Sequence, residues 1–108
     1  MQSIANVILS INRAMVGEVS EYLMEARFIC ESPSIITIGF RFSREPDDND
    51  LKSIYSITAE VNADFPETTV SHVVDVGTSL SPQEQGWRTV FARRELFEPF
   101  SKPSGYKA

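Results

Sequence analysis

"YLMEARFICESPSIITIGFRF", residues 22–42, decides the fold. In its first half Tyr22, Met24, Ala26, Phe28 and Cys30 fall on one side, and Glu25, Arg27 and Glu31 on the other. A period of two with apolar and charged sides is the mark of a strand with one buried face. The second half repeats it: Ile36, Ile38, Phe40 and Phe42 take the inner face, Thr37, Gly39 and Arg41 the outer one. Between them Ser32-Pro33-Ser34 makes a turn, with the proline ring presetting one turn dihedral. Two alternating strands about a three-residue turn predict an antiparallel hairpin.

A hairpin with one apolar face needs a cover, and the flanking segments supply two. Before it, Ile4, Val7, Ile8, Ile11, Ala14 and Met15 recur at three- and four-residue spacing, the apolar stripe of a helix. Ser3 can cap its start, Gly17 can take the left-handed turn at its end, and Arg13 suits the dipole of its last turn. After the hairpin comes the polar loop "REPDDND". Any of Asp48, Asn49 or Asp50 can cap a second helix running to about Asp64, where Pro66 stops it. Leu51, Ile54, Tyr55, Thr58, Val61 and Phe65 are its predicted packed stripe. "TVSHVVDVG" and "WRTVFARRE" then read as third and fourth strands. The order α-β-β-α-β-β predicts an α+β fold: a four-stranded, mostly antiparallel sheet with both helices on one face. In the fourth strand Trp87, Thr89 and Phe91 compete with Val90 and Ala92 for the inner face. Residues 1–97 form the expected single domain, and 98–108, with two prolines and a glycine, an irregular tail.

The chain of 108 residues carries a net charge of −5 and 42% hydrophobic residues, which suits one globular core. The charge is unevenly placed. Glu45, Asp47, Asp48, Asp50, Glu60, Asp64, Glu67, Asp75 and Glu84 face a single base, Lys52, between positions 45 and 84, while the rest of the chain is mildly basic. A negative middle disfavours nucleic-acid binding there and favours a basic partner, or serves solubility alone. Glu60 and Asp64 sit four apart on the wet side of the second helix, a like-charge spacing that slightly weakens a helix. The single cysteine, Cys30, excludes an internal disulfide framework and predicts a reducing compartment, cytoplasmic by default. The opening residues, with no positive charge before Arg13, predict no secretory leader, and no apolar run reaches membrane-spanning length.

Catalytic chemistry finds little to use. His72, the only histidine, lies on an apolar alternation with Val70, Val74 and Val76, where a structural role outweighs catalysis. Cys30 falls on a packed face, and no Gly-x-Ser-x-Gly elbow or Gly-rich phosphate cradle occurs. One histidine and one cysteine cannot build a usual zinc site. A calcium loop begun at Asp48 would need glycine where Ser53 stands and glutamate where Ala59 stands, so no metal or cofactor is expected. Arg93 and Arg94 point to opposite faces of a strand, which suits solubility or pairing with the acidic helix better than phosphate binding.

Three stretches, "AMVGEVSEYLMEARF", "DLKSIYSITAEVNADFPE" and "TVFARRE", resemble small bacterial immunity proteins of contact-dependent growth inhibition and related polymorphic-toxin systems. The likeness rests on Val16-Gly17-Glu18, Glu60-Val61-Asn62-Ala63-Asp64-Phe65-Pro66 and Arg93-Arg94-Glu95, and spans roughly residues 15 to 95. It implies a non-enzymatic cytoplasmic protein that binds and blocks one cognate toxin domain, commonly a basic nuclease. No contact residue carries over, because these proteins diverge with their toxins. Charge and size instead nominate Glu45, Asp47, Asp48, Asp50, Glu60, Asp64 and Glu67, with Tyr55 and Trp87 as anchors, for partner binding. The alternatives are an adaptor or chaperone for another protein, a small ligand-binding α+β domain, and an enzyme using His72 as base.

Overall fold

The computed structural model describes residues 3–78 and 84–93. Helix α1 (Ile4–Met15) is followed by β1 (Leu23–Ser32), β2 (Ile35–Phe42), α2 (Asp48–Asp64), β3 (Thr69–Val76) and β4 (Arg88–Ala92). The sheet order is β3-β2-β1-β4, so the hairpin forms its centre. β1 pairs antiparallel with β2 and β4, while β2 and β3 run parallel. Helix α2 is the crossover that this parallel pair requires. Both helices cover one face, α1 toward β4 and α2 toward β3, and they pack on each other. The expected tail, 98–108, lies outside the described residues, as do Arg94 and Glu95.

The core forms where the two helical stripes meet the apolar side of the hairpin. Val7, Ile11, Ala14 and Met15 of α1 and Ile54, Ile57 and Val61 of α2 close over Ala26, Phe28, Ile36, Ile38, Phe40 and Phe42. The α1 caps are those the sequence predicts: Ser3 Oγ accepts from the Asn6 N–H, and Gly17 has φ +80°.

Elsewhere the structure departs from simple periodicity, with identifiable causes. Leu23 pairs with Phe42 and Glu25 with Arg41, so Met24 is an extra residue in a bulge. The bulge turns Leu23 into the core and leaves Tyr22 and Met24 half-buried. A second bulge resolves the fourth strand: Ala26 pairs with Phe91 and Arg27 with Thr89, leaving Val90 extra. Phe91 therefore lies on the helix side, and Thr89 on the other. Helix α2 is also rotated from its predicted setting. Ile57 is buried, whereas Leu51 and Tyr55 are exposed, with Tyr55 and Thr58 set against His72 of the edge strand β3.

Candidate functional site

The acidic residues at the start of α2 are bound up with the helix itself. Its N-cap is Asp47, one residue earlier than the candidates in the "DDND" run. The Asp47 carboxylate accepts from the Asp50 N–H at 2.9 Å, and the Asp50 carboxylate accepts from the Asp47 N–H at 3.0 Å. This reciprocal capping box satisfies two otherwise orphan donors. The Asp50 backbone N–H, then Arg44, holds the Asp47 carboxyl below its ordinary pKa. Arg44 spans the pair, 3.4 Å from Asp47 and 3.6 Å from Asp50, with its guanidinium 3.7 Å from the Tyr22 ring centroid. Asp50 is buried, while Glu45 and Asp48 stand exposed beside it.

At the other end of α2 the two like charges part company. Asp64 turns to α1, accepting from Ser10 Oγ at 2.7 Å and Arg13 Nη2 at 2.8 Å. Those two donors, Ser10 first, lower its pKa. The carboxylate that faces the unfavourable end of its own helix dipole thus becomes a strut between helices. Glu60 and Glu67 stay exposed and make no ion pair with another described residue. Between the two ends Tyr55 projects from α2, 64% exposed, its ring edge-on to His72 at 5.0 Å.

His72 is tied to α2 through Thr58. Thr58 Oγ1 gives its one proton to the Ile54 carbonyl at 2.9 Å, so the 2.9 Å contact with His72 Nδ1 has the imidazole N–H as donor. Burial lowers the His72 pKa. Cys30 is half-buried beside the core, and burial raises its thiol pKa against the opposing pull of Arg88, which leaves it a poor nucleophile. Arg93 is engaged with backbone carbonyls. It donates to the Leu23 carbonyl at 2.8 Å and to the Ser20 carbonyl, pinning the end of β4 to the start of β1.

Trp87 lies on the opposite side of the molecule from the helices. It packs over Gly39 of β2, where a Cβ would sit 3.3 Å from Trp87 Cζ3 and 3.6 Å from Val73 Cγ2. The Arg27 guanidinium stacks on it at 4.5 Å and reaches Glu84 at 3.2 Å. Arg41 lies alongside, 3.2 Å from Asp75 and 3.9 Å from buried Glu25. Trp87, Gly39, Val73, Arg27, Arg41 and Glu25 line an open cavity of about 130 Å³, well below the ~300–1,000 Å³ of small-molecule sites. It suits one inserted side chain better than a metabolite. A glycine inside an otherwise β-branched and aromatic strand marks such a close approach, and was the one available signal for this cavity. The nominated residues are therefore divided: Glu45, Asp47, Asp48, Asp50, Tyr55, Glu60, Asp64 and Glu67 ride on α2 and its flanks, and Trp87 on the open sheet face.

Among the described residues, no group of three or more His, Cys, Asp or Glu side chains is placed to hold a metal ion. No described helix is long and apolar enough to cross a membrane. Residues 4–95 match the MafI2 immunity protein family. The chain belongs to that family. No curated protein is similar enough to the chain to match it. Membership makes this an immunity protein acting against a toxin, with a cognate toxin domain as its partner. The described part of the match contains both helices, all four strands and every nominated residue.

Proposed function

We propose that this immunity protein neutralises a basic nuclease domain by covering its active site with the acidic side of α2. The observation that carries the reading is the division of labour among the acids. Asp47, Asp50 and Asp64 are engaged in capping or cross-linking the fold, while Glu45, Asp48, Glu60 and Glu67 remain exposed on α2 and its flanks, as does Tyr55. Only Lys52 offsets them in that segment. A nuclease active site is shaped and charged to receive phosphates, and exposed carboxylates offer it the same sign of charge. Complementary fields accelerate encounter by up to ~10³-fold and fix orientation. Lasting affinity needs a desolvated anchor at the centre of the contact, and an exposed tyrosine is a favoured type. Trp87 and its cavity, on the far face, offer a second anchor to any toxin segment that wraps the sheet. A stable complex of this kind buries about 1,200–2,000 Å².

The test is to purify the tagged protein from its toxin-producing source, strip the captured partner in denaturant, and refold it alone. The expected partner is a basic domain that cleaves nucleic acid once freed and is silent when the immunity protein is returned. A partner with a different activity, or one still active in the complex, contradicts the reading.

A further inference from the structure

On the open face of the sheet Gly39 sits between Arg27 of β1 and Val73 of β3. Having no side chain, it leaves a hollow that the Trp87 indole and Val73 Cγ2 border. The next row of the sheet, Glu25, Arg41 and Asp75, forms a further wall. The charges of this lining cancel locally. Arg27 pairs with Glu84 at 3.2 Å, and Arg41 with Asp75 at 3.2 Å and Glu25 at 3.9 Å, so every charged lining side chain has an opposite charge beside it. Both arginine side chains are only 17% exposed. Arg41 Nε, buried and without a hydrogen bond among the described residues, faces Glu25 and is out of reach of an incoming group. A charged occupant would compete with one of these pairs and leave its partner partly buried and less compensated. What the cavity leaves unclaimed is apolar: the indole, the Cα of Gly39, and Val73, which is 53% exposed.

We propose that this cavity receives one neutral, apolar side chain of the cognate toxin, of leucine or methionine size, as a contact separate from the acidic side of α2. The inference rests on the reading of Trp87 as a second anchor for the toxin. Size selects a single side chain: a cavity of about 150 Å³ holds one benzene molecule, and this one has about 130 Å³. Charge selects a neutral one, because the lining is already paired within itself. Insertion removes Val73 from water and completes the cover over the indole, the desolvated setting in which a tryptophan contributes most to binding. A second copy is a poorer occupant. Its most exposed aliphatic side chains, Leu9 and Val16, belong to α1 and its end. Their insertion would be head-to-tail and would run on into rings or filaments rather than closing as a dimer.

The test uses the toxin domain recovered from the complex and reads dissociation at ~1 M salt, where the Debye length is ~3 Å and long-range attraction is screened. Gly39→Leu fills the cavity from its floor. Val73→Lys and Val73→Glu place either charge at its mouth and, at an exposed position, should keep the melting temperature close to wild type. All three variants should dissociate at least about tenfold faster than wild type, the loss of one well-filled anchor. Opposite effects of the two Val73 variants would mean a charged occupant and overturn the proposal, as would wild-type dissociation in both. Trp87 is the only tryptophan, so fluorotryptophan labelling gives this protein one fluorine resonance. That resonance should lose its solvent-isotope shift when unlabelled toxin binds; a retained shift overturns the proposal. Wild-type protein that forms rings or filaments, with Gly39→Leu protein that does not, would give the cavity to a second copy and overturn it too. The α2 reading fails separately: Glu60→Lys, Glu67→Lys protein that associates at the wild-type rate contradicts that reading and leaves the Val73 results untouched.

Discussion

At the scale of single residues, carboxylates of one type do different work, and substitution should separate them. Asp64 binds Ser10 and Arg13 across the helix pair, whereas Glu60, four residues earlier, makes no ion pair with another described residue. Asp64→Ala should lower the melting temperature, and Glu60→Ala should leave it in place or raise it by relieving the like-charge spacing. Equal losses in thermal unfolding would show that the inter-helix strut contributes nothing. His72 gives a pH signature. Burial lowers its folded pKa below the unfolded value of about 6.5, so the unfolded chain takes up the proton first as pH falls. Stability should decline from about pH 6.5 down to the folded pKa and then level, until Asp47 and Asp64 add their own loss below about pH 4. His72→Gln should flatten the upper part of that profile in urea titrations; an unchanged slope would place the proton elsewhere. Trp87 is the only tryptophan, so its fluorescence reports on the open-face cavity alone. Gly39→Leu should fill that space, displace the indole and shift its emission to the red. An unshifted spectrum would mean the ring does not rest on Gly39.

At the scale of elements, the rotation of α2 decides which substitutions harm folding. Ile57 is 1% exposed and Tyr55 64% exposed. Ile57→Ala should cost about 2–5 kcal/mol by leaving a cavity, and Tyr55→Ala no more than about 0.5 kcal/mol, the range of an unremarkable surface change. Chemical denaturation measures both, and the reverse order would restore the unrotated helix. This is also where the limits of legibility lie. The hairpin and α1 were readable because their patterns are long and regular: Phe28 and Cys30 against Ile36 and Ile38, Val7 and Ile11 and Ala14 at helical spacing. The bulges at Met24 and Val90 were not, since one extra residue looks like a lapse in alternation until its partner strand is known. The spacing of Tyr55 suits the stripe, yet its ring stands exposed beside His72 of the edge strand, a tertiary placement that spacing does not record. The Asp47 cap was missed among four neighbouring residues that all cap well. Of the site, the acidic content was plain from composition. Which acids are consumed by the fold depends on contacts such as Ser10 to Asp64, more than fifty residues apart, which no local pattern records.

At the scale of the whole molecule, the fold arranges its charge by segregating it. One face of a four-stranded sheet is buried under two helices, and the outer side of α2 carries the exposed acids, while the open sheet face keeps its charges largely paired around Trp87. An immunity protein with this layout should meet its toxin by long-range attraction and hold it by a few desolvated anchors, two effects that salt distinguishes. The most direct measurement is the association rate with the isolated toxin domain, for wild-type protein and a Glu60→Lys, Glu67→Lys double variant, at low and high ionic strength. Both positions are exposed and lie near the C-terminal end of α2, where a cation suits the helix dipole, so the variant should fold normally. The account predicts association slowed by about tenfold or more at low salt, with the difference fading as the Debye length falls to ~3 Å near 1 M. Rates that match the wild type at every ionic strength would contradict the claim that the acidic side of α2 guides capture.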